Sequence, residues 1–264
     1  MHTHTFASPL LGNTRTVWTA TVGDLPARAD ATRPLLVLFD GDWYRNTDTV
    51  NAPGTLTRLV ADGTLPPLAV AYVSFIDIPT RAVECPMHEH VPAFVADELL
   101  PWLRTDAFAP ADRVAPDAAG TVLGGLSYSG LLVWWVMLQR PEIADRALCQ
   151  SASFWSQENR PLREVAARRP APKRWWIDVG RGETATDVQH SIGVLQRDSQ
   201  LDVNRRMRDA LRDGGHDVTY HEFDGGHDFL CWGRTLPMAL TALMSGSRNT
   251  LHVRGEPGKR VRDE

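Results

Sequence analysis

Short apolar runs alternate with longer segments of mixed polarity along most of the chain. Two runs, at 34–39 and 68–76, are unbroken, which is typical of strands buried on both faces of a parallel sheet. Residues 15–22 instead alternate β-branched, aromatic and small side chains, and predict an earlier strand. Further strands are predicted at 121–126, 146–151, 174–179 and 218–223.

Helices are predicted between these strands. The segment 201–213 is clearly amphipathic, because apolar residues such as Val203 and Leu211 share one face and arginines lie opposite. The other predicted helices span 55–62, 91–103, 131–138 and 232–243. Strands that alternate with helices predict an α/β fold with a mostly parallel, doubly wound sheet flanked by helices. Residues 1–248 are predicted to form a single domain, and the charged segment 249–264 a disordered tail.

One stretch combines a predicted strand, a sharp turn and a helix. Residues 121–130 read TVLGGLSYSG and lead directly into the apolar segment 131–138. A serine in such a strained turn needs small neighbours two positions away on either side, because the strand and the helix nearly touch there. Gly125 and Ser129 meet this need for Ser127, which predicts a nucleophile elbow in an α/β-hydrolase fold. An ordinary strand-to-helix turn with a serine near the helix cap is the alternative.

The composition of the chain indicates which classes of partner it does not bind and which compartment it occupies. The 264 residues are 43% hydrophobic and 23% charged, with a net charge of −4, which gives no electrostatic basis for binding nucleic acid or an anionic membrane. No apolar run approaches the roughly 20 residues of a membrane span, and the N-terminus lacks the pattern of a signal peptide. The three cysteines, Cys85, Cys149 and Cys231, are widely separated and predict a reducing compartment, by default the cytoplasm.

A serine hydroxyl needs a general base before it can attack a carbonyl group. His227 lies in a Gly-Gly-His loop after the last predicted strand, and catalytic groups gather at the carboxyl ends of strands in open α/β sheets. The order serine, acid, histidine is the order used by α/β-hydrolases. His88 and His90 flank Glu89, but alternate residues on a short loop favour a solvated loop over a metal site, so no metal is predicted.

The acid that orients the base is expected after the strand that ends at 179. Glu183 is the first choice, Asp187 the second, and Asp178 the third because it lies within the strand. Two further carboxylates, Asp224 and Asp228, flank the histidine and would have to fold back onto it. A serine–histidine pair without an acid remains an alternative.

The carboxyl-end loops also supply candidate groups for binding substrate. One oxyanion-hole donor is predicted to be the amide of Tyr128, and the other that of Asp42 or Trp43. Other side chains in these loops are candidate substrate contacts, namely Arg81, Tyr44 and Trp155. The aromatic rings fit a stacking surface or a cover for the core equally well. Arg81 fits either the partner of an anionic substrate or a solvated surface residue.

Several segments together resemble the enterochelin (enterobactin) esterase family of esterase D-like α/β-hydrolases. They are 38–43, 77–84, the elbow, 151–155 and 223–232. The resemblance covers about residues 15–246 and implies Ser127 as nucleophile, His227 as base, Glu183 as acid and Arg81 as a residue that lines the cleft. Ser129 stands where the family has glycine, and the N-terminal domain of full-length members has no counterpart in the matching segment.

The resemblance implies a serine esterase that cleaves the ester bonds of a catecholate trilactone siderophore in the cytoplasm. The small-molecule substrate is either the free siderophore or its iron complex, and no metal or organic cofactor of the enzyme's own is implied. A thioesterase, or an acyltransferase or cyclase of a biosynthetic pathway, would use the same serine and histidine. A non-catalytic binding protein that keeps the fold is the alternative from another class.

Overall fold

The predicted strands form most of an eight-stranded sheet in the computed structural model of the chain, which describes residues 1–27, 30–168 and 171–244. The strands are β1 (His2–Ser8), β2 (Asn13–Val22), β3 (Leu35–Phe39), β4 (Leu68–Val73), β5 (Thr121–Leu126), β6 (Arg146–Gln150), β7 (Arg174–Gly180), β8 (Val188–Ser191), β9 (Val194–Gln196) and β10 (Asp217–Phe223). The sheet has the order β1-β2-β4-β3-β5-β6-β7-β10, while β8 and β9 form a separate hairpin. Pairing is parallel from β4 to β10 and antiparallel at β1 and β2, which confirms the mostly parallel, doubly wound sheet.

Helices cover both faces of this sheet. They are α1 (Gly41–Arg45), α2 (Ala52–Ala61), α3 (Ile78–Glu84), α4 (Val91–Ala93), a π-helix (Phe94–Leu99), α5 (Leu100–Thr105), α6 (Tyr128–Gln139), α7 (Ser156–Ala167), α8 (Gln200–Asp213) and α9 (Phe229–Met244). The predicted helices at 55–62, 91–103, 131–138, 201–213 and 232–243 are confirmed within a few residues. None of the described helices has the length and the continuous apolar character that crossing a bilayer requires.

Strand β3 shows why the inner strands are apolar without interruption. Leu35, Val37 and Phe39 pack into the core on one face of the sheet, whereas Leu36 and Leu38 pack into the core on the other face. Successive side chains of a strand point to opposite faces, so a strand between two cores has no polar position.

Two segments predicted to be loops contain short helices. Within 77–84, residues Ile78–Glu84 form α3, and the Asp77 carboxylate caps it by accepting a hydrogen bond from the Thr80 amide at 2.7 Å. The loop predicted at 40–44 becomes α1, which begins after Asp40 in a left-handed conformation (φ 57°). Both helices follow inner strands at their carboxyl ends and bring side chains toward the same edge of the sheet.

The N-terminal residues form the edge strand β1, which the sequence pattern did not predict. It pairs antiparallel with β2, from His2 opposite Thr19 to Ser8 opposite Asn13. The Nε2 atom of His4 lies 2.8 Å from the Thr19 hydroxyl, so the imidazole forms a hydrogen bond within the sheet. The predicted tail at 249–264 lies outside the described residues, and the predicted domain at 1–248 is described as far as 244.

Candidate active site

Ser127 lies in a strained turn between β5 and α6. Its backbone has φ 54° and ψ −120°, a conformation that a residue with a side chain rarely adopts. A Cβ atom at Gly125 would lie 2.2 Å from the Ser129 carbonyl oxygen, so only glycine allows the strand to pass the helix there. The turn therefore has the geometry of a nucleophile elbow, with the serine hydroxyl held at the carboxyl end of the sheet.

Ser129 stands at the position that is glycine in the usual G-x-S-x-G elbow, and it uses its hydroxyl inside the turn. This hydroxyl donates a hydrogen bond to the Leu126 carbonyl oxygen and accepts one from the Leu126 amide, both at 2.8 Å. The residue is fully buried, and both bonds satisfy groups that water does not reach. The substitution is thus accommodated without opening the elbow.

Three predicted side chains form a continuous hydrogen-bonded chain at the end of the sheet. The Ser127 Oγ atom lies 2.9 Å from Nε2 of His227, and Nδ1 of His227 lies 2.6 Å from Oε2 of Glu183. The Glu183 side chain is 3% exposed and the His227 side chain 42% exposed, so a buried carboxylate holds an accessible imidazole. This geometry allows proton transfer from the serine hydroxyl to Nε2.

Glycines bring the histidine loop against the loop after β7. The Gly182 amide donates to the Gly225 carbonyl oxygen at 2.9 Å, and a Cβ atom at Gly180 would lie 2.5 Å from that same oxygen. Gly225 has φ 147°, and a Cβ atom there would lie 2.3 Å from the Cys231 sulfur. A side chain at either glycine would separate Glu183 from His227.

The other predicted acids do not reach the imidazole. Asp178 is fully buried within β7, and Asp187 is exposed in the loop before β8. Asp224 forms an exposed ion pair with Arg181 at 2.5 Å. Asp228 accepts a hydrogen bond from the Cys231 amide at 2.9 Å at the start of α9. Of the five acids considered, Glu183 alone has the position that the orienting role requires.

A cavity of about 460 Å³ opens beside the Ser127 hydroxyl. Its lining residues are Arg81, Ser127, Tyr128, Ser153, Trp155, Gly182, Glu183, Ala185, Val188, His190, Gln196, Gln200 and His227. One wall is aromatic, because the Trp155 ring lies 5.7 Å from Tyr128 and stacks on His190 with centroids 4.7 Å apart and planes 4° apart. Such a wall suits a planar aromatic group on the substrate.

Arg81 lines the cavity as a held cation rather than as a solvated surface residue. Its guanidinium binds the Asp40 carboxylate with two bonds, Nε to Oδ1 at 2.8 Å and Nη2 to Oδ2 at 2.6 Å. The same group lies 4.7 Å from the centre of the Trp43 ring and 5.6 Å from that of Tyr128. This placement fixes the guanidinium, whose charge is paired with Asp40, beside two aromatic rings of the cleft.

Two predicted roles in the segment 42–44 need correction. Tyr44 is fully buried and donates its hydroxyl to Gln150 Oε1 at 2.8 Å, so it cannot contact substrate. The Trp43 amide already donates to the Asp40 carbonyl oxygen at 3.0 Å, and its ring packs between Phe75 and Phe229 instead of lining the cavity. The amide of Asp42 stays a prediction as the second oxyanion donor, and Asp42, like Trp43, is not among the residues that line the cavity.

The hairpin residues that line one side of the cavity were not predicted from the sequence. His190 on β8 stacks on Trp155, and its Nε2 lies 2.9 Å from Oε1 of Gln196 on β9. The hairpin strands are short and mostly exposed, so they show no apolar periodicity from which to predict them. The available signal was Gly193, which turns the hairpin with φ 77°.

The fold and the site together define an α/β-hydrolase: a parallel sheet, a nucleophile elbow after β5 and a serine–histidine–glutamate chain at the carboxyl ends of the strands. The chain belongs to a family described as putative esterase, whose match covers residues 23–243. The resemblance seen in the sequence is confirmed by this match and by the individual relatives described next.

Curated relatives and solved structures agree with this assignment. An iron(III) enterobactin esterase from Dickeya dadantii is 33% identical over 248 residues, which cover 90% of this chain and 54% of that protein. The iron(III) enterobactin esterase of Escherichia coli K12 is 30% identical over 89% of this chain and 55% of its own length. The crystal structure of the enterochelin esterase from Shigella flexneri superposes with a TM-score of 0.75 at 28% identity, covering 91% of this chain and 57% of that one. The chain thus spans about half the length of the curated relatives it matches.

Proposed function

We propose that the protein is a serine esterase with Ser127 as nucleophile, His227 as general base and Glu183 as the orienting acid. The observation that carries the proposal is the hydrogen-bonded chain from Ser127 Oγ to His227 Nε2 (2.9 Å) and from His227 Nδ1 to Glu183 Oε2 (2.6 Å), beside an open cavity. Membership in an esterase family supports it.

The reaction follows from the positions of the atoms. Ser127 Oγ attacks the ester carbonyl carbon while Nε2 of His227 takes the hydroxyl proton. The resulting oxyanion accepts hydrogen bonds from the Tyr128 amide and, as proposed here, the Asp42 amide. The imidazolium then gives its proton to the leaving alcohol oxygen, and the C–O bond breaks to leave an acyl group on Ser127. Water, deprotonated by His227, attacks this acyl group; the bond between the acyl carbon and Ser127 Oγ then breaks, the imidazolium returns its proton to Oγ, and the acid is released.

The proposed substrate is a catecholate trilactone siderophore, either free or as its iron complex. The names of the relatives, iron(III) enterobactin esterases, support this choice, and so does a cavity lined by aromatic rings and a fixed guanidinium. Catechol rings can stack on the wall formed by Trp155 and Tyr128, and their oxygens can accept hydrogen bonds from the N–H groups of Arg81 that do not bind Asp40.

Hydrolysis of the ferric and the iron-free trilactone by the purified chain tests this function. We expect turnover by the natural sequence and a loss of at least about 1000-fold in kcat for Ser127→Ala, because the nucleophile is removed. A chain that cleaves p-nitrophenyl acetate but not the trilactone would retain the esterase and exclude this substrate. A new ester or amide formed when an alcohol or amine is added would instead identify acyl transfer.

The proposed compartment is the cytoplasm. All three cysteines, at 85, 149 and 231, are buried and free of disulfides, a pattern that suits a reducing environment. Fractionation of cells that produce the natural protein checks this, and recovery from an oxidising compartment would contradict it.

A further inference from the structure

The segment that follows β6 touches both ends of the proposed catalytic chain. Strand β6 lies between β5, which leads to the nucleophile, and β7, which leads to the acid. The Ser153 amide donates to the Ser127 carbonyl oxygen at 3.1 Å, and the Ser151 hydroxyl donates to Oε1 of Glu183 at 2.6 Å. We propose that Ser151 is a positioning residue for Glu183 and that Trp232 in turn orients Ser151. This inference rests on the function proposed above.

Ser151 is held in place on every side. Its hydroxyl accepts a hydrogen bond from the Trp232 indole at 3.0 Å, so its own proton is directed to the Glu183 carboxylate. Its amide donates to the Asp178 carbonyl oxygen at 2.8 Å, and its carbonyl oxygen accepts a bond from the Gln200 side chain. The backbone is in the left-handed region (φ 42°), which turns the side chain away from the strand direction.

These contacts hold Oε1 of Glu183 in place, so that Oε2 remains hydrogen-bonded to His227. Oε1 of Glu183 accepts hydrogen bonds from the Gly180 amide at 2.7 Å and from Ser151, while Oε2 faces Nδ1 of His227. Without the Ser151 hydroxyl, Oε1 keeps one anchor and the carboxylate can rotate about its last torsion. The imidazole then loses its fixed orientation toward Ser127. Ser151 does not line the cavity, so substrate binding is not affected directly.

The test is a double-mutant cycle between positions 151 and 183, measured as kcat and KM on p-nitrophenyl acetate. We expect Ser151→Ala to lower kcat about 10-fold, as for loss of a hydrogen bond to a charged group, with KM within about twofold. In a Glu183→Ala background, which itself lowers kcat by about 10³ to 10⁴-fold, Ser151→Ala should have no further effect. A residue with only a structural role would lower kcat by the same factor in both backgrounds.

Two further variants make the test decisive. Thr121→Val removes another buried hydroxyl, which bonds the Asp117 carbonyl oxygen at 2.8 Å and Arg104 at 3.0 Å at the opposite end of β5, and we expect it to lower stability but not kcat. Trp232→Phe keeps an aromatic ring beside His227 but deletes the indole donor. Its loss of kcat, about threefold, should also vanish in the Glu183→Ala background. It provides the same cycle if Ser151→Ala does not fold.

Equal losses in both backgrounds, or no loss in either single variant, would overturn the proposal. A natural sequence that turned over no ester would overturn the proposed function, and this inference with it.

Discussion

Asp178 is a buried carboxylic acid on the strand that leads to the active site. Its Oδ2 atom accepts hydrogen bonds from the Trp176 indole at 3.0 Å and from the Gln150 amide at 3.5 Å, and the Thr235 hydroxyl is a further polar neighbour of the carboxyl group. Burial, with a smaller contribution from the nearby charge of Glu183, raises the pKa of Asp178 to about 6. Its ionisation therefore couples folding to pH near neutrality.

A carboxyl with a higher pKa in the folded than in the unfolded protein takes up a proton on folding. The stability from protonated Asp178 is fully present below its unfolded pKa near about 4, and is lost as the pH rises through about 6. We expect Asp178→Asn to remove this loss, so that the variant gains on the order of 1 kcal/mol relative to the natural sequence between about pH 5 and about pH 8. Urea unfolding at both pH values measures the change.

The control for this prediction is Asp48→Asn, which removes an exposed carboxylate between α1 and α2. The free energy of unfolding of this variant should differ from that of the natural sequence by nearly the same amount at both pH values. If the free energy that Asp178→Asn adds to unfolding is also the same at both pH values, the carboxyl group at 178 does not take up a proton on folding.

At the scale of single residues, steric rules predicted more of the site than chemical type did. Gly125 and Ser127 follow from the space that the elbow allows, and a hundred positions later His227 follows from its loop after the last strand. Trp43 and Tyr44 could not be separated in the same way. Both are aromatic and adjacent, and only the turn of α1 decides that Tyr44 points into the core.

The hairpin β8–β9 is the element that the sequence did not predict, although it forms a wall of the cavity. It lies between β7 and α8, and most of its residues are exposed, including Ile192 at its tip. A hairpin that does not pack on the core carries no alternation of apolar and polar residues. By contrast, α8, which follows it, was predicted because one face packs on the sheet.

Removing the His190 ring should weaken binding of an aromatic substrate. His190 stacks on Trp155 at 4.7 Å, but contacts neither Ser127 nor His227, so His190→Ala changes the wall and not the reacting groups. We expect KM for the trilactone to rise about 3- to 10-fold with kcat within about twofold, as for loss of a contact that is equal in the ground and transition states. KM for ethyl acetate, which has no aromatic ring to stack on the wall, should stay the same.

Ile192→Ala provides the control on the same hairpin, because that side chain is fully exposed and should leave both constants unchanged. A fall in kcat without a rise in KM for His190→Ala would contradict a binding role.

At the scale of the whole molecule, the regular part of the sheet was predictable and its edge was not. Parallel strands buried on both faces leave unbroken apolar runs, whereas β1 at the edge reads HTHTFAS and resembles a polar terminus. Besides the backbone pairing of β2 with β4, a buried ion pair joins this antiparallel edge to the rest of the molecule. Nη2 of Arg15 on β2 lies 2.9 Å from Oε1 of Glu84, which ends α3 and also accepts a bond from Asn13 at 2.7 Å.

Breaking this pair should destabilise the whole fold. The side chains of Arg15 and Glu84 are 5% and 9% exposed, so Glu84→Ala leaves a buried guanidinium without its carboxylate. We expect a loss of about 3 kcal/mol in the free energy of unfolding and a fall in Tm of roughly 6 to 12 °C. The double variant Arg15→Met with Glu84→Leu should recover most of this loss, because apolar side chains can replace a buried pair at little cost.

Thermal and urea unfolding of these variants separate a buried pair from an exposed one. Asp97→Ala is the matched comparison, because it breaks the ion pair between Asp97 and Arg140 on the surface. The side chains of Arg140 and Asp97 are 31% and 52% exposed, so the variant should lose no more than about 1 kcal/mol in the free energy of unfolding. If Glu84→Ala costs as little as Asp97→Ala, water reaches Arg15 and the edge of the sheet is held by its backbone pairing alone. If it costs several times more, the pair couples β2 to the helix that carries Arg81 into the cleft, and loosening the edge should then also raise KM for the anionic substrate.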